Sequence, residues 1–372
     1  MASRVNIIKA VKNVSNIQDA ELCQSSYCNG PLGPLCYGGG FGLCFPLTTS
    51  SNKKYAFKVW FTDISDIQDR LVKISKYLET VNLPYFVGYS FLKNGLNIPS
   101  PNPEIIPALK MEWIDGLSLK QYVCEVMTSP ASESEKKAKI LSLVEKFKKC
   151  FKQLHDNHIS HGDLQHENIL IVKDTVDSVS IRFVDYDSVY VPTLGQCDQN
   201  TKGYSGYQHP DRTNSDNEQL PSTEKDDYFS EKIIILSLLI FAYYPDVYKE
   251  IDITKNEQEF LFASGDFNDM SNSRVYCFIK KQNTLPAEIK DLFDEICKDL
   301  QKPLEDIESL RYPNVGKYVR HSEDTNLVDP DWLDRFKQEH KREVSGKNTY
   351  PKKDIQGSSK TYTPNPDKYN RS

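Results

Sequence analysis

The stretch that decides the fold is His161-Gly162-Asp163-Leu164-Gln165-His166-Glu167-Asn168, followed by Ile169–Val172 and then by Ile181-Arg182-Phe183-Val184-Asp185-Tyr186-Asp187. Short apolar runs on either side of a turn-rich polar segment both read as strands. Asp163 and Asn168 stand five residues apart on the loop before the first strand, and Asp185 closes the second. One carboxylate is placed to accept a proton, and an amide with a second carboxylate to hold a divalent cation.

Working outward, Tyr37-Gly38-Gly39-Gly40-Phe41-Gly42 precedes Tyr55-Ala56-Phe57-Lys58-Val59-Trp60, which reads as a β-hairpin with a glycine-rich tip. Glycine lets the backbone approach phosphate oxygens, and Lys58 on the next strand adds a point charge. Together with the carboxylates this is the division of labour that phosphoryl transfer requires.

These motifs resemble the protein-kinase superfamily, and most closely a group of bacterial Ser/Thr-kinase-like proteins with a His-Gly-Asp-Leu-Gln-His catalytic loop and an Asp-Tyr-Asp metal loop. Aminoglycoside and choline kinases share the His-Gly-Asp type of loop. The resemblance implies an α+β bilobal fold, a small mostly-β N-lobe on a larger mostly helical C-lobe. It also implies Asp163 as catalytic base, Asn168 and Asp185 as Mg2+ ligands, and Gly39, Gly40 and Gly42 as a lid on ATP. Lys58 would contact phosphate, Met111 would be the gatekeeper, and Glu112 and Ile114 would bind the purine through their backbone. Gly162 replaces the usual Arg and Gln165 the usual Lys.

Ile67, Leu71, Ile74 and Leu78 recur on one face of a helix. The family's lysine-pairing glutamate would fall at Ile74. Asp69 and Glu79 lie on the wrong face, so Asp187 is the expected surrogate. Residues 128–137 are polar and read as a loop. Ile140, Leu143, Phe147, Phe151 and Leu154 then mark a long amphipathic helix leading to His161, which is expected to support its loop by hydrogen bonds. Gly203-Tyr204-Ser205-Gly206-Tyr207-Gln208-His209-Pro210-Asp211 resembles the family's substrate-platform anchor, with Arg311 as a candidate partner of Asp211. Ile233–Tyr243 is apolar all round and reads as a buried helix.

The 372 residues carry a net charge of −6, 38% hydrophobic and 26% charged residues, which makes no case for nucleic acid binding. No apolar run is long enough to span a bilayer, so a cytoplasmic protein without a membrane partner is expected. Nine cysteines in such a chain read as free thiols, those at 23, 28, 36 and 44 lacking zinc-site spacing. The expected division is an extension at 1–20 with one helix, an N-lobe at 21–113, a C-lobe at 114–325, a short helix within 326–344 and a basic tail at 345–372. That tail has six basic and two acidic residues and almost no apolar content, so disorder is expected. The implied activity is ATP- and Mg2+-dependent transfer to a Ser or Thr hydroxyl of a protein. Alternatives are a small-molecule kinase and a catalytically silent nucleotide-binding scaffold.

Overall fold

The computed structural model describes residues 2–311 apart from 31–32, 63–65, 100–102, 176–177, 200, 215–219 and 254–258, and these are the described residues. The expected short helix within 326–344 and the tail at 345–372 lie outside them.

Helix α1 (Arg4–Val11) starts at Ser3, whose hydroxyl accepts a hydrogen bond from the Asn6 amide. Short strands β1 (Ser26–Tyr27), β2 (Asn29–Gly30), β3 (Gly33–Pro34) and β4 (Tyr37–Gly38) follow, then β5 (Gly42–Thr48) and β6 (Lys54–Trp60). Helix α2 (Ile67–Val81) crosses to β7 (Tyr89–Ile98) and β8 (Glu104–Glu112). The antiparallel order is β1-β5-β6-β8-β7, with β4 paired to β5. Strand periodicity gives this sheet two apolar faces. Phe45, Leu47, Phe57, Val59, Leu96 and Ala108 pack with Ile7, Ala10 and Val11 of α1. Trp60, Leu109 and Met111 share the other core with Leu71, Ile74 and Leu78 of α2. Residues ahead of the glycine hairpin therefore cover the outer face of the sheet. Lys58 shares a face with Trp60, turned toward α2 and away from α1.

The second lobe begins with β9 (Leu117–Ser118) and α3 (Leu119–Thr128). Helix α4 (Glu133–Asp156) follows, so the polar stretch read as a loop at 128–137 is a loop only at 129–132. The cause is local: Ser132 and Glu135 form a capping box that starts α4 seven residues before its first buried apolar side chain, Ile140. Strands β10 (Ile169–Lys173) and β11 (Val179–Phe183) form the hairpin, in sheet order β11-β10-β9. After α5 (Pro210–Asn214) comes α6 (Tyr228–Tyr243), buried on every side between α4 and α8 (Ala287–Asp299), with α7 (Arg274–Ile279) between them in sequence. Its one buried lysine, Lys232, pairs with Glu295 at 2.8 Å and with Asp299. Among the described residues no helix is long and apolar enough to cross a membrane.

Two measurements follow from this packing. Ile7 is fully buried, so Ile7→Ala should cost about 3 kcal/mol of unfolding free energy in a denaturant titration. Val5→Ala, on the exposed side of α1, should stay within about 0.5 kcal/mol. Equal costs would mean that α1 does not cap the sheet. The α4–α6 contact carries His155, whose Nε2 lies 2.8 Å from Glu231. Burial lowers the pKa of that imidazole, but the Glu231 carboxylate outweighs burial and raises it above the ordinary value. A raised folded pKa adds stability that is fully present below about pH 6.5 and is lost as pH rises through the folded value. The stability gap between wild type and His155→Gln should therefore shrink as pH rises above about 6.5, and a gap that widened would reverse the assignment.

Candidate active site

The loop after α4 is fixed through its backbone. His161 and Gly162 both donate their amides to the buried carboxylate of Asp227 at the start of α6, the Gly162 bond measuring 3.0 Å. Burial pushes the Asp227 pKa up, and His161 opposes it. The His161 ring reaches Val184 O at 2.9 Å, tying the loop to the end of β11. Gly162 has φ +76°, and a Cβ there would lie 2.4 Å from Ser188 O. The residue before Asp163 is thus restricted to glycine by both conformation and space.

Asn168 Nδ2 donates to Asp163 O at 2.8 Å and to Asp163 Oδ2 at 3.1 Å, which brings two of the expected site residues together. Burial, and then the negative charge of Asp185, raise the Asp163 pKa to about 6, so the carboxylate is poised near neutrality. Asp185 follows β11 with φ +68°, a strained position for a residue with a side chain. Tyr186 secures the turn after it, since its hydroxyl accepts from Val87 N and donates to Phe183 O, both at 2.9 Å.

Lys58 Nζ lies 2.6 Å from Asp185 Oδ1 and 2.6 Å from Asp187 Oδ2. Trp60 Nε1 donates to Asp187 Oδ2 at 2.9 Å. Asp187, not Asp69 or Glu79, is therefore the second carboxylate at the lysine, alongside Asp185. Burial would lower the Lys58 pKa, but the two carboxylates raise it well above the ordinary value. Burial raises the Asp185 pKa, yet Lys58 prevails and holds it below the usual range; Asp187, more deeply buried and beside Asp185, is held above it.

The glycine hairpin closes through Gly39 N to Gly42 O at 3.1 Å. Gly39 and Gly40 would meet nothing within 4 Å if given a Cβ, whereas Gly42 would come within 2.9 Å of Val59 O. Sheet packing accounts for Gly42 but not for the two tip glycines. At the other side of the cleft, Met111 is buried against the α2 core. Trp113 N is used on Lys54 O at 3.1 Å, and the Ile114 amide has no partner among the described residues. The rings of Tyr37 and Trp113 stand 5.8 Å apart between hairpin and interlobe connection.

Three features were not foreseen. Arg70 of α2 is 6% exposed and donates to Ser188 O (3.2 Å), Val189 O (3.1 Å) and Asp198 O (3.2 Å), so α2 is held by a cation on its apolar face. Its spacing of three residues from Ile67 and four from Ile74 was the available signal. Trp60, read only as a strand aromatic, supplies the indole N–H to Asp187. The third is a correction: Arg311 is exposed and makes no ion pair among the described residues, so it does not hold Asp211. It lies after the last short helical turn, past α8, and no described residue holds it against the anchor.

Three aspartates stand around one lysine in this pocket, and burial together with the charge of Asp185 raises the pKa values of Asp163 and Asp187. A divalent cation fits such a place. Magnesium takes one or two protein ligands and completes its shell with phosphate and water, so the lack of a cluster of three His, Cys, Asp or Glu ligands among the described residues does not conflict with it.

The family model described as protein kinase domain matches residues 38–303. No curated protein matches the chain.

Trp60→Phe keeps an aromatic ring against the core but removes the N–H from a buried carboxylate. It should cost about 2 kcal/mol in a denaturant titration. Asp69→Asn and Glu79→Gln, on the exposed side of α2, should stay within about 0.5 kcal/mol. A Trp60→Phe cost as small as theirs would mean that the indole does not hold Asp187.

Proposed function

Because the chain belongs to the protein kinase family and gathers Asp163, Asn168, Asp185 and Lys58 in one pocket, we propose that it transfers the γ-phosphoryl group of ATP to a Ser or Thr hydroxyl of a protein. The observation that carries this reading is Asp163, with its pKa near 6, hydrogen-bonded to Asn168 and repelled by Asp185. Asp163 accepts the proton of the attacking hydroxyl. Lys58 holds phosphate oxygens, Gly40 offers its backbone N–H, and the absence of side chains at Gly39 and Gly40 leaves room for them. Glu112 and Ile114 offer backbone groups to the purine, and the unused Ile114 amide favours this. Asn168 and Asp185 would hold Mg2+, which when bound neutralises charge on the transferred group. A protein acceptor is favoured over a small molecule by the anchor: Tyr207 is buried, with its hydroxyl 2.6 Å from His166 Nδ1 and its carbonyl accepting from Ser230 at 2.9 Å.

Asp163→Asn should abolish transfer from labelled ATP to generic protein substrates while ATP affinity stays within about threefold. Transfer by the variant at the wild-type rate would remove Asp163 from the mechanism. Asp187→Asn should slow transfer at least tenfold, about 1.4 kcal/mol of barrier. Glu79→Gln should not slow it, and the reverse pattern would reassign the partner of Lys58.

A further inference from the structure

The close approach of Gly162 to Ser188 O excludes any side chain beside the base, so no cation at that position can link the catalytic loop to the segment after the metal loop. The link is made from elsewhere. Arg212, 3% exposed and two residues past Pro210, sends each guanidinium nitrogen in a different direction. Nη2 donates to Gly162 O at 2.6 Å, Nη1 to Gln208 Oε1 at 2.7 Å and to Asp226 O at 2.9 Å, and Nε to Gln199 Oε1 at 2.9 Å. One side chain thus joins the residue before the base, the segment, the anchor and the N-terminus of α6. From the other side, Arg70 holds the carbonyls of Ser188, Val189 and Asp198.

From this geometry, we infer that Arg212 is a positioning residue, which fixes the loop of Asp163 against residues 186–209 and makes their order independent of a phosphate added to the segment. The inference rests on the kinase reading. In a phosphate-ordered segment the anion recruits a cation, and the new pair supplies the order. Here the buried cation already has neutral acceptors of the same chain on all three nitrogens. A planar fork can serve diverging acceptors at once, whereas a lysine ammonium is a point charge and cannot span them.

The test uses the full chain and Arg212→Lys, Arg212→Gln and Gln199→Ala, the last removing the segment arm together with the Gln199 Nε2 bonds to Pro221 O and Asp226 Oδ1 and leaving the other arms of Arg212. Both arginine variants should lose at least about thirtyfold in kcat with KM for ATP within about threefold, because a displaced base slows the chemical step and leaves the nucleotide contacts. Gln199→Ala should lose less, in the same direction. Amide exchange at residues 160–168 and 196–209 should quicken in all three, and phosphatase treatment of wild type should change kcat by less than about twofold. Arg212→Lys with wild-type kcat and exchange would overturn the inference, as would a tenfold loss on phosphatase treatment. If the arginine variants fail to fold, Gln199→Ala decides: unchanged kcat and exchange would overturn it. If wild type transfers no phosphate, the kinase reading fails by itself, and exchange still decides whether Arg212 braces the loop.

Discussion

An ammonium group 2.6 Å from each of two carboxylates is the point on which the arrangement turns. Burying a lysine costs several kcal/mol unless opposite charge and hydrogen bonds replace water, so Lys58 is stable only if Asp185 and Asp187 are in place. Those carboxylates belong to the turn after β11, and the lysine to β6. The pairing therefore sets where the hairpin of one lobe stands against the sheet of the other. Trp60, two residues along the same strand, is on the same face as Lys58 and adds its N–H to Asp187. Strand periodicity thus puts the cation and the donor that steadies its partner side by side.

Once Asp187 serves the lysine, α2 has no glutamate to supply. Arg70 then anchors the helix through backbone carbonyls of the following segment. Buried guanidinium on carbonyl oxygens needs several good acceptors, and Arg70 and Arg212 each have them. The loop of Asp163 is bonded to Arg212 and Asp227, and Gly162 abuts Ser188, whose carbonyl Arg70 holds, so its position is set by hydrogen bonds internal to the chain.

Local patterns made much of this legible. The apolar faces of α2 and α4, the apolar run of α6 and the strands β10 and β11 each show within their own residues, and they appear in the structure. The substitution of Asp187 for a glutamate on α2 was legible too, because Ile74 occupies the expected position. Other features depend on partners far away in sequence. Arg70 looks like one more polar residue of an amphipathic helix until the segment at 188–198 is packed against it. Arg212 and Arg311 are both arginines near the anchor in sequence or in expected space, and only the fold separates them. The cover that α1 gives the sheet puts Ile7 in one core with Phe57 and Ala108, a grouping that no local periodicity encodes. The early start of α4 is different, since Ser132 and Glu135 announce it locally and the polar composition around them obscured it.

The surplus of carboxylate over lysine ties the site's electrostatics to its chemistry. Burial, and then the neighbouring charge of Asp185, hold Asp163 and Asp187 above the usual carboxylate range, and a cation arriving with phosphate would offset that charge. The most direct measurement is calorimetric titration of ATP into the protein with and without Mg2+, on wild type and Asp185→Ala. The account expects Mg2+ to tighten ATP binding to wild type at least tenfold, about 1.4 kcal/mol, and to have little effect on the variant. Equal affinity with and without Mg2+, or a magnesium effect that survives in Asp185→Ala, would contradict it.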